Sequence, residues 1–443
     1  MRQANIFDDD AESNAAGPVV NTARLVSLDI LRGVAILGIL VMNIYAFAMP
    51  FVAYSDPTAM GGTEPHNLAT WFFTHFFFDQ KFLSIFAMLF GAGIVLMTGR
   101  AEQAGRPSGR FFFRRQVSLL VLGLLHAYLL WAGDILFAYA VVGMLVYPFR
   151  KLAPRTLIVS ACLLLPVTVV AMHSFSYAIE DLQTKAQNYE ALVGAGETLS
   201  EAQQKQLERW YSSRSFMAPE AEDMQVDISA YQGSYAEILA YRAPVVIGMQ
   251  QGMLLLFSWR IGALMLIGMA LMKLGVVSGQ RSAGFYKMLM FAGYGLGLPV
   301  TMFSGVNLYM NEFDPVYVAR YGMAANYFAS IFVALGHTGL VMLVIKSGLW
   351  RPLTERFAAV GRMALTNYLM HSVLLTTMFY GYGFGLYGQL PRISLMGLVV
   401  IVIGLQLQLS SWWLRQYRFG PVEWLLRSVT YWRWQPLRRE IFV

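Results

Sequence analysis

Ionisable side chains inside apolar stretches cost a few kcal/mol or more to bury in hydrocarbon, so each is a candidate for function. In this 443-residue chain the densest group is Gly123-Leu-Leu-His126-Ala-Tyr-Leu-Leu-Trp131-Ala-Gly133-Asp134-Ile-Leu-Phe-Ala-Tyr139. His126 and Asp134 are eight residues apart, close to two helical turns, and a tight bend after Trp131 would bring the aspartate back toward the bundle interior. A carboxylate near the imidazole fixes its tautomer and suits it to act as a general base on a hydroxyl or amine. The same two residues would also serve simply to bond neighbouring helices.

A second group comprises His66, Trp71 and His75, followed by Asp79-Gln80-Lys81. His66 follows Pro65 at a helix start and is an alternative base, whereas His75 lies among phenylalanines as a packing histidine. Asp79 and Lys81 are two apart and point in different directions on a helix, so each seeks partners on other segments. With Arg260 they compose a buried charge network, which either holds the molecule together or forms a coupling site. A third group, Ser27-Leu-Asp29-Ile-Leu-Arg32-Gly33 and Gly361-Arg362-Met-Ala-Leu-Thr366-Asn367-Tyr368, joins Arg115 in offering guanidinium forks and helix starts of the kind that grip phosphate. Arginines at inner span ends also arise without any ligand. His173, His337 and His371 stand alone.

The elements carrying these groups follow from composition. The chain is 57% apolar and 13% charged, against about 45–50% and about 25% in soluble domains, which excludes a water-soluble enzyme. Its mean hydropathy is +0.50. The expected fold is all-α, a polytopic integral membrane protein with about ten transmembrane helices near 33–53, 70–98, 117–132, 135–149, 156–174, 250–276, 288–306, 323–345, 358–380 and 394–414. The third and fourth are short and joined by Ala132, Gly133 and Asp134, so 117–149 reads as a hairpin buried in the bundle. Residues 1–26 read as a polar cytoplasmic tail without a secretory signal, 27–174 as the first five spans, 244–414 as the last five, and 415–443 as a cytoplasmic C-terminal tail. A single cysteine, Cys162, excludes a disulfide framework and a thiolate metal site, and no metal is expected.

Twenty-four of the 33 Lys and Arg residues fall on one side of this arrangement and seven on the other, which predicts both termini in the cytoplasm. The net charge of +7 is thereby explained without nucleic acid as a partner. Residues 175–243 hold 11 acidic residues against five basic ones and are too long for a simple connection. They are expected to form a helical extracytoplasmic cap interrupted at Pro219. Arg110 to Arg115, with phenylalanines between, predicts an anchor at the inner leaflet. Phe90-Gly91-Ala-Gly93 and Gly262 to Gly268 read as small residues for close helix packing. Gly383-Phe-Gly385-Leu-Tyr-Gly388 has dinucleotide-fingerprint spacing but no strand before it, and no P-loop, HExxH, GxSxG or EF-hand pattern occurs.

The runs Leu28-Asp29-Ile-Leu-Arg32-Gly33 through Asn43, Lys81-Phe82-Leu-Ser-Ile-Phe86 through Gly93, Leu125-His126 to Gly133-Asp134-Ile-Leu, Gly361-Arg362 through Leu369, and Gly420-Pro421-Val-Glu423-Trp424 resemble the YeiB-type family of bacterial inner-membrane proteins. The resemblance covers nearly the whole chain in the same order. It implies a multi-pass protein of the bacterial plasma membrane in a family largely described as a domain of unknown function. In outline the chain is also similar to transmembrane acyltransferases, including heparan-glucosaminide acetyltransferase. That similarity implies acyl-CoA as a cytoplasmic donor, a glycan or lipid acceptor beyond the membrane, Arg32 near the CoA path, and His66 or His126 as the histidine at work.

Two functions follow as expectations. In the first, acyl-CoA enters against Arg32, Arg115 and Arg362, with Asn367 beside them, and His126 oriented by Asp134 deprotonates an acceptor beneath the cap. In the second, a transporter or flippase uses Asp79, Lys81 and Arg260 as a site near the bilayer midplane.

Overall fold

The computed structural model describes residues 25–105 and 107–439. Nearly all of the expected N-terminal tail, together with Arg2, Arg24 and Arg106, lies outside those residues. Among the described residues all regular structure is helical, save one isolated bridge between Tyr417 and Arg438. The helices are α1 (Val26–Ala48), α2 (Pro65–Phe77), α3 (Lys81–Gln103), α4 (Ser108–Leu129), α5 (Leu136–Val146), α6 (Pro154–Gly194), α7 (Glu201–Met217), α8 (Ala221–Tyr231) and α9 (Tyr235–Gly252). They continue as α10 (Ser258–Lys273), α11 (Ala283–Met310), α12 (Pro315–Tyr317), α13 (Met323–Ser347), α14 (Arg351–Arg362), α15 (Ala364–Phe379), α16 (Arg392–Gln416) and α17 (Pro421–Tyr431). π turns at Met253–Phe257 and Val318–Gly322 join α9 to α10 and α12 to α13.

Seven helical stretches are long and apolar enough to cross a membrane: Val26–Ala48, Pro65–Gln103, Pro154–Gly194, Tyr235–Lys273, Ala283–Met310, Pro315–Ser347 and Arg392–Gln416. They coincide with seven of the ten expected segments. The other three, 117–132, 135–149 and 358–380, fall short for identifiable reasons. α4 begins among Arg110, Arg114 and Arg115, and α5 has 11 residues, about 16 Å at 1.5 Å per residue. The 358–380 segment is broken at Met363 into α14 and the 16-residue α15. The break is built from side chains: Asn367 Nδ2 donates to the Val360 and Met363 carbonyls, while Glu423 of α17 accepts from the backbone N–H groups of Leu365 and Thr366. A carboxylate suits the positive start of a helix, so Glu423 sets where α15 begins.

α1 is the central post, with 83% of its apolar window buried, against 22% for the peripheral α6. α3 and α10 cross in backbone contact at the predicted glycines. A Cβ on Gly91 would lie 1.9 Å from the Met265 carbonyl, and one on Gly268 would lie 1.8 Å from that of Met88. α4 and α5 pack as a hairpin, although its link runs from Leu130 to Ile135 and so exceeds the three residues anticipated, and Val117, Val121, Leu125, Leu129 and Leu145 lie exposed on its outer face where a fully buried hairpin is expected.

The acidic segment is helical throughout most of its length. α6 starts with Pro154 in its first turn and does not stop where its apolar stretch ends. It runs 41 residues, about 60 Å, roughly twice a hydrocarbon core. α7 and α9 open with capping boxes, Ser200 with Gln203 and Ser234 with Glu237. The chain leaves α7 just before Pro219, where an interruption is expected.

Candidate active site

The hairpin delivers the His126 and Asp134 side chains to one point. His126 lies in the last turn of α4, and Arg242 of α9 closes that helix end by donating to the Tyr128 and Leu130 carbonyls, which α4 leaves unpaired. Across the loop, Asp134 Oδ1 accepts the Phe137 N–H at 2.8 Å, which fixes the carboxylate at the start of α5. Its Oδ2 lies 2.7 Å from His126 Nδ1, and both side chains are shut off from solvent. The contact depends on Gly123: a Cβ there would meet Phe137 N at 2.5 Å and Asp134 Oδ1 at 2.8 Å. Tyr368 of α15 ties down the loop, its hydroxyl accepting from Ile135 N–H at 3.2 Å and donating toward the Gly133 carbonyl.

The other face of the imidazole meets a residue the sequence reading passed over. His126 Nε2 lies 2.7 Å from Ser372 Oγ on α15. With Asp134 ionised, Nδ1–H donates to the carboxylate, and Nε2 is left to accept from the serine hydroxyl. Asp134, His126 and Ser372 thus form a continuous chain of two short hydrogen bonds, in the order used for nucleophilic acyl transfer on unrelated folds. Ser372 follows His371 by one residue, and no spacing rule links it to position 126; only the packing of α15 against the hairpin does.

Above this chain a cavity of about 310 Å3 opens between α8, α9 and the hairpin loop, lined among others by Phe51, Trp131, Gly133, Asp223, Asp227 and Tyr387. The Trp131 ring lines the cavity, stacks on Phe47 at 3.9 Å and lies 6.3 Å from the His126 ring. Asp227 accepts from the Tyr387 hydroxyl at 2.8 Å, and burial raises its carboxyl above the usual range despite hydrogen bonds from Tyr387 and Tyr241.

The second predicted group forms a separate cluster. α2 and α3 are broken at Gln80, which takes a left-handed backbone (φ +62°) that a residue with a side chain adopts at a cost. Asp79 and Lys81 flank the break and meet through one residue of α13. Asn326 Nδ2 donates to Asp79 at 2.7 Å, and Lys81 Nζ donates to Asn326 Oδ1 at 2.7 Å and to the His75 carbonyl at 2.6 Å. His75 Nδ1 lies 3.3 Å from Asp79, so this histidine belongs to the charge cluster as well as to the aromatic packing on Trp71. Arg260 forms no direct ion pair with Asp79. It donates to the Tyr327 carbonyl, Ser84 and Ser330, and lies 4.4 Å from the Tyr327 ring centre.

His66 is exposed and 3.2 Å from Glu64, at the start of α2. Arg32 lies 3.5 Å from Asp29, Arg115 packs over Phe90, and Arg32 and Arg427 are near enough to repel the Arg115 charge. Beside Phe90, Gln116 is completely buried and both its amide atoms lack a protein partner among the described residues. Arg362 reaches the Arg418 carbonyl at 3.4 Å. Asn367 is buried and occupied by the helix break and Ser410. Among the described residues no three His, Cys, Asp or Glu side chains gather as a metal site.

Residues 271–433 match the family described as Protein of unknown function (DUF418). The chain is 32% identical to the uncharacterized protein YeiB of Escherichia coli (strain K12) over 92% of its own length and 96% of that protein's. It is 32% identical to the uncharacterized protein YxaH of Bacillus subtilis (strain 168), covering 96% and 98% of the two chains. An uncharacterized 39.9 kDa protein in the amylase 3' region of Bacillus acidopullulyticus is 25% identical over 95% of this chain and 97% of its own. No solved structure matches. The full-length similarity at this identity means that the chain belongs to the YeiB family.

Proposed function

We propose that the protein is a membrane acyltransferase, in which His126, oriented by Asp134, moves the proton of the attacking group. The observation that carries the reading is the imidazole held at 2.7 Å by a buried carboxylate on one side and by a hydroxyl on the other. Acyl transfer needs a base whose accepting nitrogen faces a nucleophile, and this arrangement supplies it.

In this reading the chain crosses the bacterial plasma membrane ten times, counting α4, α5 and α15 with the seven long helices, and both termini are cytoplasmic. Residues 175–243 form an extracytoplasmic cap, and the cavity beneath it receives a glycan or lipid acceptor. Acyl-CoA enters at the opposite end, where Arg32 and Arg115 answer its phosphates. Gln116 adds support for such a donor, because a buried amide with neither donor nor acceptor satisfied is costly unless a ligand answers it, and a pantetheine arm carries amides. Asn367 and the exposed His66 have no part in this mechanism.

The test is CoA release from acetyl-CoA and longer acyl-CoAs by purified protein in lipid nanodiscs, with bacterial lipid and glycan extracts as acceptor. We expect thiol release that His126→Ala abolishes; release unchanged in that variant overturns the reading.

A transporter or flippase is the second reading, favoured by the break at Gln80 beside buried Asp79 and Lys81, since interrupted helices often carry ions in transporters. Proton-dependent uptake lost in Lys81→Met, with no CoA release by the wild type, would establish it instead.

A further inference from the structure

The general-base reading leaves open what His126 activates. We infer that it is Ser372, and that the acyl group passes through a covalent ester on Ser372 Oγ before reaching its acceptor. The inference rests on the acyltransferase reading above and adds an intermediate to it.

Three observations single out this hydroxyl. Helical serines and threonines commonly bond the carbonyl one turn back, and in this chain Ser84, Thr98, Ser118, Thr338 and Ser411 do so. Ser372 instead directs its Oγ across to His126 Nε2 at 2.7 Å. Secondly, the serine is completely buried, so its hydroxyl sees the imidazole in place of water. Thirdly, the imidazole is not free to turn away: Asp134 holds Nδ1, Phe137 N–H holds Asp134, and the Tyr368 ring lies 5.1 Å from the His126 ring. A serine that only stabilised the helix would need none of this apparatus.

The steps balance without another reagent. Ser372 Oγ attacks the thioester carbonyl carbon while its proton passes to His126 Nε2, and the imidazolium is stabilised by Asp134. The C–S bond breaks, and Nε2 returns the proton to the departing sulfur, giving free CoA thiol and the Ser372 ester. An acceptor hydroxyl or amine entering from the cavity at Trp131 then attacks the ester carbonyl. Its proton goes to Nε2 and from there to Ser372 Oγ, which restores the enzyme.

The experiment uses the full chain in nanodiscs with two probes: acetyl-CoA without acceptor, and p-nitrophenyl acetate, a small activated ester that needs no CoA site. Intact and peptide mass spectrometry should find one acetyl group at Ser372, with a burst of about one p-nitrophenolate per protein. Both signals should vanish in Ser372→Ala and His126→Ala, while Ser372→Cys should carry the acetyl group as a thioester. Monodispersity and melting temperature of each variant separate loss of chemistry from loss of fold. The inference is overturned if Ser372→Ala keeps CoA release within tenfold of wild type while His126→Ala abolishes it; the acyltransferase reading then stands with a direct transfer. A folded wild type that acylates with neither probe also overturns it. An acetyl group from the ester but none from acetyl-CoA keeps the nucleophile and removes the proposed donor.

Discussion

Two buried polar clusters, one at the hairpin and one at the α2–α3 break, use the same pair of residue types and end differently. At the break, histidine and aspartate lead to no nucleophile: Asp79 is met by His75 and Asn326, Lys81 by Asn326 and a carbonyl, and the outer nitrogen of His75, Nε2, is buried with no hydrogen-bond partner among the described residues. At the hairpin, the histidine and aspartate lead to Ser372, a hydroxyl with chemistry of its own. Burial and charge are therefore poor guides to function within a membrane bundle. The informative feature is whether a hydrogen-bond chain terminates on a nucleophile.

The sharpest way to break this contrast is to truncate both histidine-centred chains and compare activity with stability. His126→Ala should lower acyl transfer by about 10⁶-fold, the scale on which removing the histidine of a catalytic triad acts. Ser372→Ala should change stability by only about 1 kcal/mol, the net worth of one hydrogen bond. Turnover and thermal melting of the purified variants are the measurements, and equal losses in both would make the hairpin cluster structural.

The opposite pattern is expected at the break. Lys81→Met leaves the Asn326 and His75 carbonyl oxygens without their donor and Asp79 without a nearby countercharge, and removing one partner of a buried charge network costs about 3–5 kcal/mol. Melting temperature should fall steeply, and activity should fall only in proportion to folded protein. A Lys81→Met variant that melts like wild type but has lost activity would move the functional site to the α2–α3 break.

The sequence reveals these clusters unequally, for physical reasons. Apolar stretches announce the seven long helices because lipid imposes both length and composition on them. Gly91 and Gly268 announce a close crossing for the same kind of reason, since only a missing Cβ permits it. His126 and Asp134 are legible because a bend of a few residues joins them. The break at Met363 is not legible, because it depends on Glu423, about 60 residues away, binding the first N–H groups of α15. Ser372 is hidden likewise: 246 residues separate it from His126, and α15 also offers the hydroxyls of Thr366, Thr376 and Thr377 until packing selects one. The Asn326 bridge, 245 residues from Lys81, is concealed in the same manner. Local chemistry is visible in sequence, whereas partners supplied by a distant helix are not.

Between the two extremes lies Gly123, which sharpens the comparison by displacing a partner without deleting it. In Gly123→Ala the new Cβ presses on Asp134 Oδ1 and the Phe137 N–H, moving the carboxylate off Nδ1. Misplacement on the order of 1 Å in an active site costs about 100-fold in rate, so kcat should fall by roughly that factor. Gly268→Ala, which jams α3 against α10, should lower the melting temperature and leave the kcat of the folded fraction unchanged.

The smallest effect belongs to the acid above the triad. Burial raises the Asp227 carboxyl above its ordinary value of 3.8, so the folded state holds this proton to a higher pH than the unfolded chain does. Between the unfolded and folded values the native state binds more protons, and stability contributed by this group declines as pH rises through that window. Asp227→Asn cannot ionise and escapes the decline. It should therefore melt slightly higher than wild type at pH 7, and the gap should close at pH 4 and below. A variant that melts lower at pH 7 would mean that the ionised carboxylate, held by Tyr387 and Tyr241, is an anchor of the cavity wall. Acylation of Ser372 in the absence of acceptor should persist in the variant, because Asp227 lines the acceptor cavity and bonds Tyr387, whereas His126 bonds Asp134 and Ser372.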